Sequence, residues 1–219
     1  MKALSLSVVV AALALSGCGS DDGTPGNTTA TDAGVAADTG TQSAVDAGAP
    51  TQMYPAGPYG SRVGALFEPF ALTACNREGA EANWRFEQSG FWDNQLTIIM
   101  ISAMWCIPCQ NEAMQVEREL VQRYAGRGVR FVQILVQDPQ RRAISPSQCN
   151  NWVNRYGLSF PVLMDPQFIT QPFVPMAAFP GNVIVDRRGR IRWREYGSER
   201  GLVSIREAID EILANPEGN

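Results

Sequence analysis

Histidine is absent from this 219-residue chain. That excludes Ser/His/Asp and Cys/His catalysis and the usual imidazole metal ligands at once. Lysine is almost absent as well: Lys2 is the single example, so every later cation is an arginine. With 18 basic residues against 22 acidic ones and a formal charge of −4, the composition holds no basic excess for tracking a phosphate backbone. A nucleic-acid partner is not expected. The length suits one well-cored domain plus an appendage rather than two full domains. Chemistry must run on other groups. Five cysteines are present, Cys18, Cys75, Cys106, Cys109 and Cys149, and their meaning depends on the compartment the chain reaches.

The N-terminus supplies an address. Met1-Lys2 is followed by the apolar run Ala3 to Leu15 and then by Leu15-Ser16-Gly17-Cys18. The run is too short for the ~20 apolar residues of a membrane-spanning helix and is broken at once by glycines and two Asp. A secretory signal over residues 1–17 is the expectation. Leu-Ser-Gly-Cys resembles the bacterial lipobox, which implies lipidation of Cys18 and anchorage of the mature protein in a membrane of the cell envelope, facing the periplasm. Gly19, standing where inner-membrane-retained lipoproteins of the enteric pattern carry Asp, favours the outer membrane over the inner.

Residues 18–52 continue as Gly, Ala, Thr, Asp and Ser with almost no large apolar side chain. Such a segment cannot bury enough surface to fold and reads as a disordered linker. As a flexible tether it has an end-to-end distance of roughly 30–35 Å. Its five Asp carry the negative excess, since from Met53 onward 17 acidic residues balance 17 Arg. Residues 53–219 form the expected folded domain.

Leu96 to Met104 is a nearly continuous apolar and β-branched run, the mark of a strand covered on both faces. It leads straight into Trp105-Cys106-Ile107-Pro108-Cys109. Beyond it Cys109, Ala113, Val116, Leu120 and Tyr124 recur at helical spacing, with Glu112, Glu117, Glu119 and Arg123 between them, until Gly126 and Gly128. Val129 to Val136 reads as the next strand, so a parallel crossover follows. Ser145-Pro146 starts a further helix, reaching Tyr156, and Phe160 to Met164 a short strand. Asn182–Asp186 and Arg190–Arg194 form a hairpin about Arg187-Arg188-Gly189, and Leu202, Ile205, Ile209 and Ile212 mark a closing helix. The class is α/β, with a central mixed sheet flanked by helices.

Two cysteines spaced by two residues at a helix N-terminus have a specific use. The dipole and the free N–H groups stabilise a thiolate on the first, lowering its pKa and making it a nucleophile. Cys106 then attacks a partner disulfide, and Cys109, one turn along, resolves the mixed disulfide. Pro108 in the first turn sacrifices no helical hydrogen bond, and Trp105 caps the strand end beside an exposed thiol.

Trp-Cys-x-x-Cys between an apolar strand and a helix resembles the thioredoxin superfamily. Ala178-Phe179-Pro180, just before the strand Asn182–Asp186, stands where thioredoxin-like proteins place a cis-proline facing the two cysteines, so the resemblance makes Pro180 a site residue supported by Phe179. Cys109 and Pro180 are 71 residues apart, which resembles the TlpA-like or redoxin branch with its inserted helix-strand unit. The resemblance implies an extracytoplasmic thiol-disulfide oxidoreductase without cofactor or metal, acting on protein disulfides and thiols and recharged by a membrane electron donor. Met100 departs from the pattern: thioredoxin carries a buried Asp there, so no strand carboxylate takes the proton of Cys109. The peroxiredoxin pattern is not found around Cys106, which leaves a redoxin-type peroxidase as an alternative, beside a non-catalytic binding module with a locked disulfide. The Ile-Pro pair between the cysteines lacks the His of strong Dsb-type oxidants, which favours a reductant.

Cys75 and Cys149 remain. In an oxidising compartment an even remainder suggests a structural disulfide, with two buried free thiols as the alternative. A zinc site from all four domain cysteines would lack the second CxxC such sites show. Trp92, Met104, Met176 and Phe179 are candidates for the wall of a partner groove, or else core.

Overall fold

The computed structural model describes residues 53–87, 91–197 and 199–217. The signal segment, Cys18 and the linker expected over residues 18–52 lie outside the described residues. At the centre stands Leu96–Ala103, eight residues with every side chain buried. A strand covered on both faces must be apolar throughout, which is why its hydrophobic run is continuous rather than alternating.

Around it the chain builds a seven-stranded mixed sheet. In chain order the strands are β1 (Ala71–Ala74), β2 (Asn83–Arg85), β3 (Leu96–Ala103), β4 (Val129–Gln137), β5 (Val162–Met164), β6 (Gly181–Asp186) and β7 (Ile191–Tyr196). Their spatial order is β2-β1-β5-β4-β3-β6-β7. β3, β4 and β5 run parallel, while β6 and β7 on one side and β1 and β2 on the other run antiparallel to their neighbours. The helices are α1 (Ile107–Val116), α2 (Pro146–Tyr156) and α3 (Leu202–Ala214).

Local chemistry accounts for the boundaries. α1 passes into one π-helical turn, Glu117–Val121, and the stripe predicted over this stretch buries Val116, Leu120 and Tyr124. Gly126 and Gly128 then take φ values of 73° and 70°, which a glycine adopts without steric cost. α2 opens on a capping box between Ser145 and Gln148, with Pro146 in its first turn, and ends at Gly157 in the left-handed region. The unit α2–β5 is inserted between β4 and the β6–β7 hairpin, and β5 separates β4 from β1.

α3 packs against α1. The Tyr124 hydroxyl donates to the Arg206 carbonyl (3.1 Å) and to Asp210 Oδ1 (3.0 Å), tying the end of the α1 segment to α3. No helix among the described residues is long and apolar enough to cross a membrane.

Candidate functional site

Three features of the fold converge on the C-terminal end of β3. The strand delivers Trp105 and Cys106; the end of β4 delivers Gln137 and the loop after it; and β6 is preceded by Phe179 and Pro180. Gly181 pairs with Ile101, so Pro180 sits beside the exit of β3. The Phe179–Pro180 peptide bond is cis.

Cys106 is the N-cap of α1, with an extended backbone, and its Sγ accepts the Cys109 N–H at 3.2 Å. One of the free N–H groups of the helix, and the positive end of its dipole, therefore bear on this sulfur. The arrangement favours a thiolate at Cys106 when the pair is reduced. Pro108 lies in the first turn, where an N–H has no intrahelical partner. Gln110 Nε2 donates to the Met104 carbonyl at 2.8 Å and fastens the helix to the strand exit. The two sulfurs are bonded, with Cα atoms 5.3 Å apart. Cys106 is 4 % exposed and Cys109 fully buried. The openness expected of the first thiol is thus not found: as a helix cap bonded back to Cys109, Cys106 is drawn into the fold.

An aromatic cluster forms one wall. Trp105 Nε1 donates to Gln137 Oε1 at 2.9 Å, the Trp105 ring meets Phe179 edge-on at 5.7 Å, and Phe168 stacks on Phe179 at 5.8 Å. The Arg141 guanidinium lies 3.8 Å from the centre of the Trp105 ring. Of the groove candidates, Met176 is 91 % exposed, whereas Phe179 is buried and Trp92 and Met104 pack on the core. Ile107, 68 % exposed, stands at the opening beside Cys106.

The sequence offered no carboxylate at Met100, but the structure buries one that comes from the helix. Glu112, read as lying between the buried positions of the helix, is 3 % exposed. It accepts hydrogen bonds from Asn182 Nδ2 at 3.2 and 3.4 Å, and Asn182 is the β6 partner of Met100. A carboxyl group therefore reaches this layer from the helix instead of from the strand. The signal was present: Glu112 is three residues after Cys109 and four before Val116, both buried, so all three share one helix face.

Arg141 and the buried Asp138 were also missed. Asp138 Oδ1 accepts the backbone N–H groups of Gln140 and Arg142, while Oδ2 accepts from Arg142 Nε and Gln148 Nε2. Burial pushes the Asp138 carboxyl up, but the Arg142 N–H, the Gln148 amide, the Arg142 side chain and the Gln140 N–H outweigh it and hold the group below the usual carboxylate range. Such a closed loop has no short sequence signature beyond Asp-Pro.

Cys75 and Cys149 are bonded to each other, Cα atoms 6.1 Å apart, joining the end of β1 to α2. Among the described residues no group of three or more His, Cys, Asp or Glu could hold a metal ion.

Known proteins are similar to this chain in sequence and in fold. ResA thiol-disulfide oxidoreductases of Bacillus thuringiensis and Bacillus anthracis are each 31 % identical to this chain over 87 residues, which is 40 % of this chain and 46 % of theirs. The chain thus spans about half the length of the curated relatives it matches. Among solved structures, one assigned as thiol:disulfide interchange protein DsbE from Chlorobium tepidum superposes with a TM-score of 0.56 at 16 % identity, covering 69 % of this chain and 98 % of that one. A DsbF homologue from Corynebacterium diphtheriae gives 0.53 at 20 % identity, covering 67 % and 86 %. At these identities the superpositions speak for the fold, which is thioredoxin-like. Residues 63–194, from the segment before β1 into β7 and so including both candidate cysteines and Pro180, match the AhpC/TSA family, and by that match this thioredoxin-superfamily chain belongs to it.

Proposed function

We propose that this protein is an extracytoplasmic thiol-disulfide oxidoreductase that exchanges disulfides with exported proteins through Cys106 and Cys109, working as a reductant. The observation that carries the reading is Cys106 itself: a helix N-cap at the end of the central strand, bonded to a cysteine one turn along. The names borne by the ResA relatives support it.

In the reduced protein the Cys106 thiolate attacks one sulfur of a partner disulfide. That S–S bond breaks, a mixed disulfide forms, and the first partner sulfur leaves as a thiolate that takes up a proton. Cys109 then gives up its proton and attacks Cys106 Sγ, expelling the second partner sulfur and closing the Cys106–Cys109 disulfide. Two electrons have passed to the partner, and a membrane electron donor must return two electrons, with one proton going back to Cys109 while Cys106 is restored as the thiolate. Glu112, on the Cys109 face of α1, is the group positioned to take the proton of Cys109. The partner chain rests against the half-buried Trp105, with Phe179 and Pro180 buried beside it. Cys18 would carry the lipid anchor, in the outer rather than the inner membrane, and residues 18–52 the tether.

The test is disulfide reduction with insulin as substrate. Cys106→Ser abolishes turnover and Cys109→Ser accumulates mixed disulfides; wild-type turnover in both variants would end the enzyme reading. A second reading, a binding module whose disulfide stays locked, draws on the 4 % exposure of Cys106. It predicts that a small dithiol leaves the Cys106–Cys109 bond intact under native conditions, whereas the exchange reading predicts prompt reduction. Peroxidase chemistry has less support, because Ile-Ser-Ala-Met-Trp leads into Cys106 without the Pro-x-x-x-Thr-x-x-Cys pattern.

A further inference from the structure

The loop after β4 places on Trp105, the residue before Cys106, a cation that the exchange chemistry does not use. Arg141 adopts φ +64°, a backbone region that costs a residue with a Cβ of order 1 kcal/mol or more and persists only where its surroundings impose it. Here they do. Asp138 is 1 % exposed and accepts two backbone N–H groups of the loop, at Gln140 and Arg142, while its carbonyl accepts the N–H of Arg141 itself at 3.1 Å. Gln148, from the first turn of α2, holds the same carboxylate. The loop is thus fixed from within and from the next helix, and its geometry turns Arg141 onto the indole of Trp105, the residue immediately before Cys106.

The two neighbouring arginines have different fates. Arg142 is spent on Asp138 at 2.9 Å. Arg141 is exposed, and among the described residues it makes no ion pair. Stacking occupies one face of a guanidinium and leaves its N–H donors free along the edge, in the planar fork that matches a carboxylate. Trp105 also restrains the side chain, so less rotamer entropy is lost on binding an anion than at an unsupported surface arginine. A bland role, shielding the indole from water, would be met by any long side chain and would not call for a left-handed backbone at this position.

We propose that Arg141 is a specificity-determining residue of the exchange face. On this view it reads a carboxylate, Asp or Glu, in the partner polypeptide close to the disulfide under attack, and so favours acidic over neutral or basic segments. The inference rests on the disulfide-exchange reading above and deepens it.

Two disulfide peptides of identical length, one with Glu and one with Gln flanking a cystine, are reduced by the wild type, by Arg141→Gln and by Arg141→Lys, with kcat/KM measured for each. Arg141→Gln loses about three- to fivefold on the Glu peptide, the scale of a supported exposed ion pair, and nothing on the Gln peptide. Arg141→Lys keeps part of the preference. In the wild type the preference shrinks as salt rises toward 1 M, where the screening length falls to about 3 Å. Equal losses on both peptides would assign Arg141 to the thiolate or to loop stability and overturn the inference, as would an unchanged Glu-to-Gln ratio. If the wild type reduces neither peptide, the exchange reading itself has failed and the inference falls with it.

Discussion

Asn182 donates its side-chain amide to the Glu112 carboxylate at 3.2 Å, and both side chains are buried between α1 and β6. The other end of the same amide, Asn182 Oδ1, has no hydrogen-bond partner among the described residues. A buried acceptor left unpaired costs about 1–3 kcal/mol. Protonation of Glu112 creates an O–H that can donate to Asn182 Oδ1 once the amide turns over, whereupon the amide N–H groups lose their acceptor in turn. The pair can thus hold a proton at one place in two arrangements, one helical turn from Cys109.

If that site takes the proton of Cys109, Glu112→Gln slows the second half of the exchange and leaves the first. Release of a partner from a preformed mixed disulfide falls by about 10- to 100-fold, at or below the low end of general acid–base contributions. The rate at which Cys106 forms the mixed disulfide changes little. Single-turnover kinetics separate the two steps. Because the amide keeps the shape of the carboxyl and can still bond Asn182, the melting temperature should change little; equal slowing of both steps would remove Glu112 from proton transfer.

The Cys75–Cys149 bond spans 74 residues of sequence and joins β1 to α2. Closing a loop of that size restricts the unfolded chain, and its removal costs about 2–4 kcal/mol. The double variant Cys75→Ser/Cys149→Ser should therefore unfold at a lower denaturant midpoint while keeping its rate of insulin reduction at 25 °C. A loss of rate in a fully folded variant would give this pair a redox role.

Most of the fold and part of the site could be read from the chain, and the division has a physical basis. β3 was legible because burial on both faces makes its run uninterrupted, and α2 because Ser145, Pro146 and Gln148 spell a helix start locally. The placement of Trp105, Cys106 and Cys109 between a strand end and a helix start was legible because the apolar run and the helical spacing flank them directly. Glu112 was misjudged because a carboxylate between helical apolar positions normally faces water, whereas here the amide of Asn182 reaches it from β6. Arg141 was invisible because its placement depends on a loop closed by Asp138, a tertiary effect that no short pattern encodes. β1 and β2 are three to four residues long and carry little periodicity.

Gly181 follows Pro180 and begins β6. A Cβ built there would lie 2.2 Å from Val174 Cγ1 and 3.2 Å from the Phe173 carbonyl oxygen. Val174 is wholly buried, so its methyl group cannot swing into solvent. Gly181→Ala should therefore cost about 1–3 kcal/mol by overpacking and displace the Phe173–Val174 segment. Denaturant unfolding checks the first effect. Pairing with Val174→Ala checks the cause, since the double variant should recover part of the loss.

The Asp138 loop carries a pH dependence of defined sign. The carboxyl of Asp138 is held below its ordinary value by hydrogen bonds to its charged form. A group lowered on folding contributes stability that is complete above its unfolded value, about 3.9. The contribution is lost as pH falls through the lower folded value. Arg141 should thus stay on Trp105 across the neutral range and leave it only in acid, as pH falls through the lowered folded value of Asp138. The Nε1–H resonance of Trp105, followed by NMR down the pH scale, should shift in that window. In Asp138→Asn the loop loses its charged acceptor at every pH, so the resonance should sit near the acid position already at pH 7 and show no such transition. A wild-type resonance that holds still until the fold itself melts in acid would mean that Asp138 does not set the position of Arg141.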